Sequence, residues 1–235
     1  MQKSTVEQIR ERFDNSVERF SHLETGNLTQ VDSPLSLELI AQAAAATTPN
    51  AKSILDIGCG AGNYALKLLQ YLPNREITLL DLSSPMLNRA QQRVSAATTG
   101  RVTTVQGDIR ERELGEGQFD VIVGAAVFHH LREESEWRHV FTKLHTALRP
   151  GGTFWIYDLI LHSMPELEAG MKARYSEYLT NMKDAAYRDM VFGWIDMEDT
   201  PRPLMFQINV LTAVGFREVD ILHKNSCFAA FGARK

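Results

Sequence analysis

Cysteine is scarce in this chain, with only Cys59 and Cys227 among 235 residues. Two thiols so far apart build neither a disulfide framework nor a zinc site of their own, and the compartment they suit is a reducing cytoplasm. Long apolar runs are also missing. The longest, Val121–Phe128, falls well short of the roughly 20 residues that cross a bilayer. The stretch from Met1 to Arg10 lacks the apolar heart of a secretory signal. Basic charge is not in excess: the net charge is −4, the pI about 6.0, and no run of Lys and Arg occurs. A nucleic-acid partner is therefore not expected, since such partners call for a basic stripe or patch. What the chain does not lack is core material. Apolar residues make up 44% and charged residues 23%, which excludes disorder for the bulk of the chain and describes a single domain, 1–235.

The apolar pattern changes period along the chain. Val6, Ile9, Phe13, Val17 and Phe20 recur at helical spacing and predict one amphipathic N-terminal helix. A polar stretch, His22–Asp32, follows, and Ser33-Pro34 predicts a helix start with proline at its first position, running to about Ala46. From residue 51 to 162, short apolar runs alternate with helical patterns. The runs are Ile54–Ile57, Ile77–Leu80, Val102–Val105, Phe119–Val123 and Thr153–Ile160; the helices are Tyr64–Tyr71, Met86–Ala97 and Trp137–Leu148. Arg149-Pro150-Gly151-Gly152 looks like a helix stop and turn. Such alternation predicts a doubly wound α/β fold with a mainly parallel sheet. Residues 163–199 predict a helical cap, and 200–235 a closing helix with an antiparallel strand pair, Phe216–Leu222 and Cys227–Phe231.

The chemistry concentrates at the carboxyl ends of the first strands, where open α/β sheets bind ligands. Ile54-Leu55-Asp56-Ile57-Gly58-Cys59-Gly60-Ala61-Gly62-Asn63 is a buried strand, a glycine turn and a helix start. Glycines there let backbone approach a ligand where a Cβ would intrude, although glycines also make ordinary turns. Asp81 closes the second strand, followed by Leu82, and can accept both hydroxyls of a ribose. Asp108 closes the third, followed by Ile109, where an acceptor can meet an adenine amino group. One acid after a strand is usually a solvated turn residue; three ligand-suited strand ends in succession are not explained that way. A nicotinamide dinucleotide is the competing cofactor. Its Gly-x-Gly-x-x-Gly fingerprint fails here, because the third glycine comes one place early, at Gly62, and Asn63 takes its position.

These motifs resemble those of class I S-adenosylmethionine-dependent methyltransferases, whose first motif, acid-x-Gly-x-Gly-x-Gly, is here Asp56, Gly58, Gly60 and Gly62. The resemblance implies a Rossmann-like fold and S-adenosylmethionine as cofactor. Gly58 and Gly60, with Cys59 packed between them, and Gly124-Ala125-Ala126 would border its methionine part. Asp81 with Leu82 would hold the ribose, and Asp108 with Ile109 the adenine. The implied reaction is in-line methyl transfer to a small-molecule acceptor, which depends chiefly on placement.

A general base is needed only where the nucleophile carries a proton, and two residues are candidates for that role. His129, in Val127-Phe128-His129-His130-Leu131, follows the fourth strand, with a merely hydrogen-bonded role as the alternative. Tyr157 and Asp158 end the fifth strand, and since strand side chains alternate faces, Asp158 is the one expected towards the acceptor. No metal site is expected, because His22, His145, His162 and His223 show no ligand spacing with one another or with the cysteines. The cap, rich in Met and aromatics including Tyr175, Tyr178 and Trp194, is expected as a lid over the ligand, and a homodimer is a possible assembly. The layout is also similar to carboxy-S-adenosylmethionine synthase, which modifies the cofactor for tRNA wobble-uridine chemistry. That family holds the added carboxylate with a cap arginine. Phe192 stands at that position here, and Arg188 is the nearest basic residue. A third reading is a fold that binds cofactor without turnover.

Overall fold

The computed structural model describes residues 3–23 and 26–235; Met1, Gln2, Glu24 and Thr25, the last two within the polar stretch His22–Asp32, lie outside the described residues. Five strands run parallel: β1 (Ser53–Ile57), β2 (Glu76–Asp81), β3 (Val102–Gln106), β4 (Phe119–Ala125) and β5 (Leu148–Leu161). A two-residue piece, β6 (Arg202–Pro203), pairs with the end of β5. The hairpin β7 (Glu218–Asn225) and β8 (Phe228–Arg234) completes the sheet in the order β3-β2-β1-β4-β5-β8-β7, with β8 antiparallel to both neighbours.

Every residue of β1 is buried, as befits a central parallel strand covered on both faces. Alternate side chains feed two cores. Ile54, Leu79, Val121 and Tyr157 pack with α3 (Ser33–Thr47), α4 (Asn63–Tyr71) and α5 (Ser84–Ser95). Leu55, Ile57, Ile122 and Phe154 pack with α6 (Glu134–Ala147) and α9 (Leu204–Ala213). In the second core Phe128, Phe141 and Phe154 meet edge to face at centroid separations of 5.4–5.5 Å, pairs that add about 0.5–1.5 kcal/mol each beyond their burial.

The fold is thus the expected doubly wound, mainly parallel sheet, with four local corrections. The N-terminal helix is broken into α1 (Val6–Asp14) and α2 (Val17–Phe20). At the break, Asn15 and Ser16 side chains donate to the Glu11 and Arg12 carbonyls, and such local bonds compete with the helical ladder. The cap of α3 is Asp32, not Ser33, which puts Pro34 at the second helical position. Asp32 sits at φ 61° and gives its carboxylate to His223 and Asn225 at 2.8 and 2.7 Å instead of to the helix. Residues 149–152 are not a turn outside the sheet. Leu148 already pairs with Phe119, and the register shift before Thr153↔Val121 absorbs the intervening residues as a bulge within β5. The closing strands begin about two and one residues later than expected, around the turn at Ser226.

The cap comprises α7 (Pro165–Met182) and α8 (Ala185–Glu198), which stand beyond the carboxyl end of β5. Among the described residues no helix is long and apolar enough to cross a membrane.

Candidate active site

The carboxyl ends of β1, β2 and β4 open into one cavity, lined on the sheet side by Asp56, Gly58, Cys59, Gly60, Asp81, Leu82, Asp108, Ile109 and Ala125. Register brings these ends together: Ile57 pairs with Leu80 on one side and Gly124 on the other. Gly60 sits at φ 49°, and a Cβ built on it meets no protein atom within 4 Å, open space at a residue that lines the cavity. Gly62 departs from its expected role. It caps α4 at φ 84°, outside the cavity lining, and an added Cβ would press on Val94 and Ala90 at 3.0 and 3.3 Å. This glycine lets α4 pack against α5 rather than touching a ligand.

Asp81 is fixed by two backbone donors, Gly60 N–H to Oδ2 and Ser83 N–H to Oδ1, each at 2.8 Å. A carboxylate oxygen has two acceptor sites, so these two bonds leave acceptor capacity on a residue that lines the cavity. Burial pushes this carboxyl up. Asp56 accepts from Ala65 N–H at 3.1 Å, and burial raises its pKa to about 8. Cys59 is buried with its thiol pushed well up by desolvation, which makes it an inert packing residue.

Asp108 is more engaged than expected. Burial pushes its carboxyl up, but the Arg110 guanidinium outweighs this and holds it low. Arg110 Nε lies 3.0 Å from both oxygens, Nη2 2.6 Å from Oδ2, and the Arg110 N–H 2.9 Å from Oδ1. Arg110 also reaches Glu136 at 3.1 Å. The acceptor capacity assigned to an adenine amino group is filled by this arginine.

Beyond the strand ends, the cavity wall becomes mostly aromatic and aliphatic, with Arg12, Arg19, His129, His130 and Asp199 set into it. Phe13 and Phe20 come from the N-terminal helices, Tyr175, Val191, Trp194 and Ile195 from the cap, and Phe228 from β8. Ionic contacts hold this roof. Arg12 Nε lies 2.7 and 2.9 Å from the two oxygens of Glu198, and its guanidinium stacks over Phe13 and Trp194 at 4.2 and 5.1 Å. Ser4 N–H donates to Met197 O at 2.8 Å. Tyr175 and Tyr178 donate to the carbonyls of Thr29 and Leu28. The N-terminal half of the roof was missed in the sequence. Its signal was present, since Val6, Ile9 and Phe13 form a stripe, but the stripe does not say what it faces.

Asp158 does not face the cavity, contrary to expectation. It is fully buried and accepts from the backbone N–H groups of Phe128 and His129 at 2.9 and 3.1 Å. It also bonds His129 Nδ1. His129 borders the cavity in its place, with Nε2 3.6 Å from Asp199 Oδ1. Burial pulls the His129 pKa down, but Asp199 and Asp158 outweigh it and lift it to about 9. His130 Nδ1 lies 3.2 Å from the same Asp199 oxygen. Arg188 pairs with Asp189 at 2.7 Å, and neither it nor Phe192 lines the cavity.

The methyltransferase domain family matches residues 54–152, which spans β1 through the bulge of β5. Residues 54–152 are a class I methyltransferase domain. The cofactor of this domain class is S-adenosylmethionine, and Asp81, Gly58 and Gly60 line the cavity at the strand ends. An uncharacterised methyltransferase of Mycobacterium tuberculosis is 32% identical over 111 residues, 47% of this chain and 52% of that protein. A malonyl-[acyl-carrier protein] O-methyltransferase of Priestia megaterium is 30% identical over 141 residues, 60% of this chain and 44% of that one. The chain thus spans about half the length of the curated relatives it matches. Human N-acetylserotonin methyltransferase, solved with S-adenosylmethionine, shares the fold at a TM-score of 0.64 and 20% identity, over 99% of this chain and 60% of that one. A Pyrococcus horikoshii protein does so at 0.61 and 16%, over 88% and 93%.

Proposed function

We propose that the chain transfers the methyl group of S-adenosylmethionine to a small, largely apolar or aromatic acceptor. The observation that carries this reading is the continuity of the cavity, in which the glycine turn and Asp81 lead directly into a chamber walled by Phe13, Phe20, Tyr175, Trp194 and Phe228. Methyl transfer from a sulfonium is an in-line displacement, and a largely apolar chamber under this roof serves its two needs, fixed approach and exclusion of water. The sulfonium is the group that S-adenosylmethionine supplies when bound. The residues of this chain position the nucleoside at Asp81, keep backbone against the methionine part at Gly58 and Gly60, and orient His129 through Asp158. In this reading Asp158 is a positioning residue and His129 the polar group beside the acceptor. The acceptor is a compact molecule rather than a folded partner, because residues from both ends of the chain close over the site.

The reading as a carboxy-S-adenosylmethionine synthase has no support from the cap, where the nearest basic residue, Arg188, is spent on Asp189. The free thiols Cys59 and Cys227 suit a cytoplasmic enzyme.

The test is S-adenosylhomocysteine release across a panel of phenols, aromatic amines, carboxylic acids and thiols, beside acyl-carrier-protein thioesters and tRNA. Turnover with a small aromatic supports the reading. Turnover only with the macromolecular acceptors refutes the acceptor class, and no turnover with tight cofactor binding supports a non-catalytic protein instead. Trp194→Ala should raise acceptor KM at least fivefold and leave S-adenosylhomocysteine affinity within twofold.

A further inference from the structure

Asp199 follows the last turn of α8, far in sequence from the His129-His130 pair, yet one of its carboxylate oxygens lies 3.2 Å from His130 Nδ1 and 3.6 Å from His129 Nε2. The three donor atoms lie within 4.8 Å of one another, and all three residues border the cavity. Donor atoms about 2.0–2.2 Å from a tetrahedral zinc ion stand about 3.3–3.6 Å apart, and the two distances to the Asp199 oxygen lie at or beside that range. We propose that His129, His130 and Asp199 form a binding site for a divalent ion of the zinc class, with its remaining position open to the acceptor chamber.

Features beyond the spacing support it. His130 Nδ1 is buried and approaches Asp199 without the alignment of a hydrogen bond, as ligands do when both are directed at a shared point. His129 is fixed on its other ring nitrogen by Asp158, which itself accepts three backbone N–H groups, from Phe128, His129 and Leu159. A carboxylate holding the far nitrogen sets the tautomer and orientation of a metal-bound imidazole. The side chains are 10%, 18% and 11% exposed, enough shielding to hold an ion and enough opening to reach it. Histidines bind a metal as neutral imidazoles, releasing their protons to solvent as it enters, and two imidazoles with one carboxylate leave a fourth position, the arrangement of catalytic rather than structural zinc sites. The Thr200 N–H donates to the His129 carbonyl at 2.6 Å, so the segment carrying Asp199 is tied to the histidines by backbone as well. The nearby cations are engaged elsewhere, Arg12 by Glu198 and Lys3 by the backbone carbonyls of Asp196 and Asp199, which leaves the Asp199 carboxylate to the histidines.

An ion there would hold an oxygen, nitrogen or sulfur of the acceptor and lower its pKa, with the released proton passing to solvent. That consequence rests on the methyl-transfer reading; metal binding itself does not.

The experiment is titration of zinc chloride into chelator-stripped, desalted full-length protein against a chromophoric chelator, with cobalt(II) spectra as a second readout. One site at micromolar Kd or tighter is expected, with the visible bands of four-coordinate cobalt. His130→Ala and Asp199→Asn should each loosen it at least tenfold. S-adenosylhomocysteine binding is measured in the same samples without metal, and it should stay within twofold in His130→Ala, which shows that the variant is folded. Should that variant unfold, His130→Gln takes its place. Zinc affinity unchanged in both variants, or absent from the parent protein, overturns the site. Loss of S-adenosylhomocysteine binding by the parent protein would instead overturn the methyltransferase reading, whatever zinc does.

Discussion

Asp81→Ala is the sharpest probe of the nucleoside site, because the geometry fixes what is lost. Each oxygen spends one acceptor position on a backbone N–H at 2.8 Å and has acceptor capacity left for a ribose hydroxyl. A hydrogen bond to a charged group contributes about 1.5–3 kcal/mol, and about 1.4 kcal/mol is a factor of ten in Kd. Losing one such bond weakens binding about tenfold, and losing both about a hundredfold. The alanine also strips the acceptor from Gly60 and Ser83, which costs about 1–3 kcal/mol for each N–H left unpaired. Removing a buried carboxylate whose pKa burial has raised offsets part of that. Asp81→Asn separates the two effects, since its one oxygen still serves a backbone donor. Calorimetry with S-adenosylhomocysteine should therefore give a tenfold to hundredfold loss in Asp81→Ala and a smaller one in Asp81→Asn, both variants remaining folded by circular dichroism. At about 100 times Kd the ligand adds about 2.7 kcal/mol of stability, and that thermal shift should shrink in parallel. Unchanged affinity in a folded Asp81→Ala protein would refute the assignment and, with it, the cofactor orientation along the strand ends.

Three other perturbations are as direct. Asp56 has a folded pKa of about 8 against an ordinary 3.8, so the folded state holds this proton more tightly than the unfolded one. Stability from this group is full below about pH 4 and is lost as pH rises towards 8, by up to about 1.4 kcal/mol per pH unit. Asp56→Asn should flatten the fall of ligand-free Tm between pH 5 and 8, and an unaltered slope would remove Asp56 as its source. Arg12→Ala leaves Glu198 buried and unpaired; with only Ile9 buried in α1, the expected result is faster amide exchange over residues 6–14, with little loss of global Tm. Exchange as slow as in the parent protein would show that the ion pair does not hold the roof. Arg110→Ala should free Asp108 for the adenine amino group and tighten S-adenosylhomocysteine binding by up to about tenfold. Weaker binding would mean that the arginine itself contacts the nucleoside.

The sheet and the strand-end wall of the cavity were legible because their signals are local. Period-two apolar runs such as Ile54–Ile57 and strand-end acids such as Asp81 carry their meaning within a few residues, and register does the rest. The acceptor end was not, because it is assembled from segments far apart in sequence. No spacing rule links His130 to Asp199 or Arg12 to Glu198. The faces of Tyr157 and Asp158 were assigned the wrong way to a ligand for a related reason. Alternation says that the two point apart, but Tyr157 donates to the Val31 carbonyl at 2.5 Å and Asp158 turns inward to the Phe128 backbone, so neither lines the cavity. Gly62 was misassigned because a family motif marks the residues it repeats and not which partner each one meets.

The contact between Arg12 and Glu198 joins residues 186 positions apart, and this sets an order of assembly during synthesis. At roughly 5–20 residues per second, α1 leaves the ribosome about 10–40 s before its partner exists. A helix of this length is marginal in isolation, and α1 buries only Ile9 even in the finished fold. The sheet from β1 to β5 can therefore consolidate while the ligand chamber still stands open. The entrance closes only after residue 198 has been made, so the newborn protein can take up its nucleoside before it has a roof.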